Sequence, residues 1–577
     1  MKAPSRKQPS RKKRTAVAVA LVPPPARWPY AAIAAAAGLI LAFWVYGPSL
    51  HGPFLFDDNY ALPKADDPPS AFLHGVRPLL MLTYWLNARF SGTDTYSYHL
   101  VNVLLHCAAG AFMFFIVRHL LEWSGFEAVR RNWLAGFAAA IFLLHPVQTE
   151  PVAYVAGRSE TLSVTFFLAA CAVFLCRRST AVSWSVTAAV LLLFGAALLS
   201  KEHTIVLPAL LLLTDYWWNP GFSFAGIRRN WRIYAPMVVG AVGGIVFLLP
   251  LLLNGNSAGF GLKDLTWYQY FFTQCRALFV YPFLFVLPVN QSADWNFPMS
   301  KTILDHGAIV GLVALLALAA AAWHYRRTYR LASFGFFAYL LLMAPTSSIL
   351  PIKDAVAERR LYLSMLGLLL IAVEFLGRAK LERRALAAAC AIAVILYAGV
   401  AHARAQVWSS ELALWQDTVE KSPSYRAHFQ LASAYYNANI CDRAVAEFQK
   451  AAQLQPSQYD LLLDWGLAYD CVNQPESALA KLRQAAALEP SAHVYTQIAK
   501  VYGDNRRWAE AVDALGTAEK LDPNFAPTYW YRAKIHLANN ELQAAVQDLQ
   551  HTLSLDPNLG DARQELARAQ RLLLARH

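Results

Sequence analysis

Over the first 403 residues the apolar positions come in long uninterrupted runs, with neither the alternation of strands nor the narrow stripe of surface helices. Runs near 28–47, 98–120, 133–145, 159–176, 182–199, 203–219, 233–253, 304–323, 331–345, 360–377 and 385–402 approach the ~20 residues that cross a ~30 Å hydrocarbon layer. The stretch 268–288 is also apolar, but Arg276 and Pro282 interrupt it. From residue 404 onward apolar residues recur at helical spacing on a polar background, as in soluble amphipathic helices. The pattern predicts an all-α chain: a polytopic transmembrane bundle over 28–403, of about 11–13 membrane segments, then a soluble helical domain over 404–577.

The soluble part is periodic. Pro423, Pro456, Pro490, Pro523 and Pro557 are spaced 33, 34, 33 and 34 residues apart. Small residues recur in register at Ala432, Gly466, Ala499 and Ala533, and again at Ala444, Ala478, Ala511 and Ala545. Phe448, Leu482, Leu515 and Leu549 follow the second set. A 34-residue period with small residues at fixed offsets is the tetratricopeptide (TPR) signature of paired antiparallel helices, an α-solenoid. Repeats are expected at about 424–456, 457–490, 491–523 and 524–557, with a capping helix over 558–575 and Trp415 ending a preceding half-repeat. Such arrays present a concave groove to a polypeptide. Tyr425, Tyr459, Tyr495 and Tyr529 on the first helices are candidates for its lining, with packing between repeats as the competing role.

Charge adds an orientation. Residues 404–577 hold 17 Lys+Arg against 20 Asp+Glu, so the excess basicity of the chain lies in its apolar part. No basic face marks the soluble part, which argues against nucleic acid as a partner. The first 27 residues carry eight basic groups and no acid. With that tail in the cytoplasm, Arg130-Arg131, Arg177-Arg178, Arg228-Arg229-Arg232, Arg326-Arg327-Arg330 and Arg378-Lys380-Arg383-Arg384 fall on the cytoplasmic side too, as the positive-inside bias requires. The stretch 268–288 must then cross an even number of times or not at all, and a re-entrant or broken helical pair suits Pro282. The last span delivers the repeats to the extracytoplasmic face, the periplasm if the membrane is a bacterial inner membrane.

No C-x-x-C spacing occurs among the seven cysteines. Cys107, Cys171, Cys176, Cys275 and Cys390 lie in apolar runs and are expected to be small buried hydrophobes. Cys441 and Cys471 either pair or remain two separate buried thiols, and separate thiols are expected.

Ionisable and amide residues gather at the ends of spans on the face away from the arginine-rich loops. They are Asp57 and Asp58; Arg77; His99, Asn102 and His106 as an i, i+3, i+7 stripe; His145, Gln148 and Glu150; Arg158 and Glu160; Lys201 and Glu202; Glu358, Arg359 and Arg360. Such groups are costly near a bilayer and either pair internally or serve function. Together they predict a polar cavity in which cations hold an anionic phosphate at the lipid headgroup level and a carboxylate activates a hydroxyl. Asp57-Asp58 is also compatible with a divalent metal, though no dedicated cage is visible.

The strings Phe56-Asp57-Asp58-Asn59, Arg77-Pro78-Leu79, Tyr98-His99-Leu100-Val101-Asn102, His145-Pro146-Val147-Gln148-Thr149-Glu150, Gly157-Arg158-Ser159-Glu160, Ser200-Lys201-Glu202 and Ala357-Glu358-Arg359 resemble the transmembrane and TPR-repeat-containing O-mannosyltransferase family, in its bacterial-type members. Trp408 and Leu414-Trp415 extend the likeness into the second half, in the same domain order. The resemblance implies a GT-C glycosyltransferase fold and transfer of a sugar, mannose in this family, from a polyprenyl-phosphate donor to protein hydroxyls. It implies Asp57 and Asp58 as the catalytic acidic motif and the TPR groove on the acceptor; by their charge, Arg158, Lys201-Glu202 and Glu358-Arg359 are expected to line the donor phosphate or to orient the acidic pair. The partners implied are the bilayer, a lipid-linked sugar and an acceptor protein. A non-catalytic membrane scaffold that recruits envelope proteins through its repeats is the rival reading, and a flippase of lipid-linked sugars a third. A scaffold needs neither Asp57 nor Asp58.

Overall fold

The computed structural model describes residues 28–58, 62–177, 180–254 and 258–574. The basic tail 1–27, Asn59-Tyr60, Arg178 and the last residues of the capping segment lie outside them. Among the described residues, eleven long helices of the first part run back and forth between two ends: Trp28–Tyr46, Thr95–Trp123, Ala128–Leu144, Arg158–Leu175, Trp184–Leu198, Leu207–Trp218, Trp231–Asn254, Ala308–His324, Arg330–Met343, Leu361–Arg378 and Arg383–Val407. Six helices among the described residues are long and apolar enough to cross a membrane, and Trp184–Leu198 and Arg330–Met343 are shorter apolar ones. Large apolar side chains face outward along them, among them Val310, Leu316, Ile395 and Leu396, each more than 60% exposed. In water such a surface would be an aggregation liability; against lipid tails it is the expected exterior. The chain is an integral membrane protein.

Without a hydrophobic drive between helices in lipid, close approach depends on small residues. Arg330–Met343 and Leu361–Arg378 meet at Gly335 and Gly367. A Cβ on Gly335 would lie 2.5 Å from the Gly367 carbonyl oxygen, and one on Gly367 2.4 Å from that of Gly335.

The connections sort to two ends. At one end Arg130 donates to the Ala379 carbonyl (3.3 Å), Arg378 to the Thr328 carbonyl (2.5 Å) and Asn219 to the Thr180 carbonyl (3.1 Å). This end holds the arginine-rich loops. Buried Asp215 anchors it, accepting from Arg177 (2.8 Å), Asn230 (2.6 Å) and Tyr234 (2.7 Å). Cys176 departs from expectation: it is exposed here, 2.9 Å from His119 Nε2. At the opposite end the loops carrying the candidate residues bind one another and receive the repeats.

Trp267–Val286 is one helix, not a broken pair, with Pro282 inside it. Thr266 and Gln269 cap its start reciprocally. Its first turns are held at the repeat-bearing end, where Tyr270 donates to the Thr346 carbonyl (2.5 Å) and Gln274 to the Ala355 carbonyl (2.8 Å). Its last turn returns to the same end, where the Phe285 carbonyl meets His145 Nε2 (3.0 Å). It therefore does not cross, and the parity of the remaining spans is preserved.

The repeats form the predicted solenoid: Tyr425–Asn437 with Cys441–Leu454, Tyr459–Cys471 with Pro475–Leu488, Ala492–Asp504 with Trp508–Leu521, Ala526–Ala538 with Leu542–Leu555, then Gly560–Leu574. Ala432, Ala444, Phe448, Ala478, Leu482, Ala499, Ala511, Leu515, Ala533, Ala545 and Leu549 are all buried, as the spacing demands. The turn inside each repeat needs a left-handed residue, filled by Asn439 (φ 58°), Asn473 (57°), Arg506 (58°) and Asn540 (66°). Asparagine tolerates that conformation best among residues bearing a Cβ.

Cys441 and Cys471 are joined as a disulfide, contrary to the expectation of separate thiols. The tight left-handed turn at Asn439 brings the start of one helix against the end of the next repeat's first helix, with Cα atoms 6.0 Å apart. Closing a loop of this length contributes about 2–4 kcal/mol. Cys441→Ser is expected to lower the unfolding temperature of the protein; reduction should destabilise the parent similarly and leave the variant unmoved in a thermal melt.

Candidate active site

The acidic motif sits on a short loop that follows the first helix and its 3₁₀ turn Gly47–Ser49. Phe54 packs edge-on against Tyr98 (5.3 Å), and Leu55 is buried with Ala153, Trp408 and Leu414. Phe56 has φ 46°, a left-handed conformation that costs a non-glycine residue on the order of 1–3 kcal/mol. Its ring is held by Trp415 (5.0 Å), Tyr154 (5.5 Å) and Trp408 (6.5 Å), which offsets the strain. The two carboxylates face different surroundings. Asp57 is exposed, and its backbone N–H donates to the Tyr154 hydroxyl (3.1 Å). Asp58 is 3% exposed, with Oδ2 accepting from the Leu55 N–H (3.0 Å) and Oδ1 from the Ala156 N–H (2.8 Å). The pair is therefore not a two-carboxylate chelate: one member faces out, and both oxygens of the other accept backbone N–H groups. Among the described residues no group of three or more His, Cys, Asp or Glu is gathered for a metal.

Burial pushes the Asp58 carboxyl up to about 7, only partly opposed by the Leu55 and Ala156 N–H groups; Asp57 adds to the rise and Arg158 reduces it. A carboxyl whose folded value exceeds its unfolded one stabilises the fold when protonated. That contribution is complete below about pH 4 and is lost as pH rises to about 7. The unfolding temperature of the parent minus that of Asp58→Asn is thus expected to shrink across this window and stay level above it.

Several candidates are sealed inside the end of the bundle. Arg158 is fully buried, donating to Asn102 Oδ1 (3.0 Å), Asn87 Oδ1 (2.6 Å) and the carbonyls of Tyr98 (2.9 Å) and Thr83 (3.2 Å). Its guanidinium lies over the Tyr84 ring, 4.6 Å from the centroid. Asn102 donates to the Tyr154 carbonyl (2.9 Å), and His99 Nε2 meets the Gly52 carbonyl (3.2 Å). His106 bridges the Tyr362 hydroxyl (2.8 Å) and the Leu143 carbonyl (3.1 Å). His145 Nδ1 accepts from Val147 N–H (3.2 Å), and Gln148 is buried against Met365. Arg360 donates to Tyr270 (3.1 Å) and the Ala355 carbonyl (2.9 Å). These seven residues clamp the loops that carry the site; six are buried and Arg360 is half-buried.

A second group remains open. Arg77 forks onto Glu202 (2.8 and 2.9 Å), Lys201 reaches Glu160 (2.5 Å), and Arg359 reaches Glu150 (2.6 Å) and Asp354 (3.4 Å). The three cations are close enough to act on one another: Arg77 and Arg359 both bear on Lys201. Burial alone would lift the Glu202 carboxyl, but the Arg77 guanidinium, a backbone hydrogen bond and Lys201 together hold it below the usual carboxylate range. The Arg77 and Arg359 side chains are each 37% exposed. The Lys201 side chain is more buried, at 16%. Cations fixed by carboxylates in this way can act on an anion without reorganising.

Glu358 takes a different part. It is buried, accepting from the Ser292 N–H (2.7 Å), Gln291 Nε2 (2.7 Å) and Trp295 Nε1 (3.1 Å). It thus holds the segment 291–296, whose other face binds the first repeat. Asn296 N–H donates to Ser422 Oγ (2.7 Å) and its side chain to the Pro423 carbonyl (2.9 Å). Arg426 pairs with Asp294 through Nε (2.9 Å) and with Asp354 through Nη2 (2.9 Å). Arg426 was not among the sequence candidates, because nothing in the repeat period distinguishes it. In the groove, Tyr529 is buried, donating to the Pro523 carbonyl (2.8 Å), and Tyr459 bonds Ser491 of the next repeat (2.8 Å). Both serve packing between repeats. Tyr495 is half-buried against the repeat core, and Tyr425 is half-buried and stacked on Phe429 (6.0 Å).

Known relatives fit this architecture. Protein O-mannosyl-transferase TMTC3 of Mus musculus is 25% identical over 545 residues, 85% of this chain and 58% of that protein. Protein O-mannosyl-transferase F38B6.6 of Caenorhabditis elegans is 23% identical over 443 residues, 71% of this chain and 61% of that protein. Protein O-mannosyl-transferase Tmtc1 of Drosophila melanogaster is 35% identical over 194 residues, 30% of this chain and 21% of that protein. The chain spans about three fifths of the length of the first two. No protein-family profile matches the sequence. Among solved structures, the thermophilic TPR protein TTC0263 of Thermus thermophilus is 20% identical with a TM-score of 0.26, covering 31% of this chain and 96% of that one. The TPR protein YrrB is 18% identical with a TM-score of 0.23, covering 27% of this chain and 80% of that one. The curated relatives are thus the O-mannosyltransferases that the motifs resemble.

Proposed function

We propose that this chain is a membrane glycosyltransferase that moves a sugar, mannose by its relatives' names, from a polyprenyl phosphate to a hydroxyl of a protein acceptor. The observation that carries this reading is the exposed Asp57 carboxylate, presented by a loop locked at Phe56, Asp58 and Tyr154, at the end of the bundle that also holds Arg77, Lys201 and Arg359. In the reaction the acceptor hydroxyl oxygen bonds to the anomeric carbon while the bond from that carbon to the phosphate oxygen breaks. The hydroxyl proton passes to Asp57, and the polyprenyl phosphate leaves with its charge held by the three cations. Asp58 positions Asp57 through the backbone and does not touch the acceptor. The repeats deliver the acceptor polypeptide.

This chemistry lies on the extracytoplasmic side. The arginine-rich loops occupy the opposite end, and their charge favours the cytoplasm. The Cys441–Cys471 disulfide fits an oxidising compartment such as the periplasm of a bacterium.

The test is transfer by purified protein supplied with polyprenyl-phosphate mannose and a panel of envelope proteins. Mannosylated acceptor is expected. Absence of transfer from several lipid-linked sugars, with acceptors still bound, would leave a scaffold in place of an enzyme.

A further inference from the structure

Where the first repeat meets the bundle there is an open cavity of about 460 Å³. One wall is Asp294, Trp295 and Asn296; the other is Pro423 to Arg426 with Leu454 and Gln455. Its volume falls in the ~300–1,000 Å³ range of ligand sites. Both walls are fixed. Glu358 fastens the first from behind, and the Asp294–Arg426–Asp354 ion pairs and the Asn296 bonds to Ser422 and Pro423 join it to the second.

The cavity lies between two features already described. On one side Tyr425, from the first helix of the first repeat, comes under the influence of Asp460 and Asp464 of the next repeat. On the other side Ala293, next to the cavity wall, packs in the cluster of Leu55, Phe56 and Trp408 that carries Asp57. Phe56 and Tyr425 belong to one apolar cluster with Trp415, so the cavity adjoins the loop that presents Asp57.

The lining selects among ligands. Arg426 is engaged within the wall itself, by Asp294 and Asp354. Amides of Asn296 and Gln455 beside Trp295, Tyr425, Pro423 and Leu454 suit a backbone with small side chains. We propose that this cleft is an acceptor subsite, taking an extended, unmodified polypeptide segment between the repeat groove and Asp57. The inference rests on the transferase reading for the name acceptor, and on the geometry for the binding.

The test separates the two. Binding of a fluorescein-labelled 20-residue Ser/Thr-rich peptide to the full-length protein in detergent is followed by anisotropy for the parent and for Gln455→Trp, which fills the cleft from an exposed position without touching its ion pairs. A second variant, Leu454→Trp, fills it from the adjacent residue. Both are expected to weaken binding at least tenfold with unfolding temperatures close to the parent's. Equal affinity in parent and both variants, or no binding to the parent, overturns the proposal. Peptide that binds, is displaced by the variants, and is never mannosylated supports the subsite and removes the transferase reading.

Discussion

Replacing Arg158 with alanine is expected to leave little folded protein, rather than to weaken binding of a lipid-linked donor. The side chain is fully buried and donates to two amide oxygens and two backbone carbonyls on two helices, Pro78–Ser91 and Thr95–Trp123. Removing it strands those acceptors where water cannot reach them and empties the space over Tyr84. Each buried acceptor left unpaired costs about 1–3 kcal/mol, so several together are a large share of the 5–15 kcal/mol that holds an ordinary domain together. Arg158→Lys should recover little, because a single ammonium cannot reproduce the fork. Size-exclusion profiles and thermal melts in detergent read the effect. A well-folded Arg158→Ala protein with only a raised KM for donor would return this residue to the donor phosphate.

Asp57→Asn is the opposite case. The side chain is exposed, and only its backbone N–H bonds a neighbour, so the unfolding temperature should stay close to the parent's, as for most surface changes. A general base contributes about 10²–10⁴-fold to a rate, so transfer should fall by that factor while KM for the donor is held by Arg77, Lys201 and Arg359. Asp58→Asn should instead lower both the rate and the unfolding temperature. Its amide would point an N–H at either Leu55 or Ala156, and a shift of about 1 Å in the loop is enough to cost ~10²-fold. Stability and rate measured together on the two variants separate base from support.

Much of this organisation is legible in the sequence. Apolar runs of membrane length, a 34-residue period and five arginine-rich loops give the bundle, the solenoid and their order, because each depends on local pattern. The site is legible only as a population of polar residues. Arg158 and Arg359 look alike in sequence, both flanking glutamates at the start of a span, yet one is sealed and the other is open. What separates them is partners 56 and 209 residues away, which no local pattern encodes. Asp57 and Asp58 read as an equivalent pair, and the difference arises from the Leu55 and Ala156 N–H groups that hold Asp58, the second of them 98 residues away. The Cys441–Cys471 bond was hidden for a related reason: the turn at Asn439 sets the distance, and the repeat period alone does not. Tyr529 and Tyr459 follow the rule that aromatics at helical spacing are usually packing.

The most direct measurement supplies an impermeant Ser/Thr-rich peptide to the outside of intact spheroplasts that make polyprenyl-phosphate mannose and carry either the parent chain or Asp57→Asn. Mannosylated peptide should accumulate in the medium with the parent and fall to background with the variant. Product that appears only after the membrane is permeabilised, or in equal amounts with both chains, would contradict a single exposed carboxylate working on the face that bears the repeats.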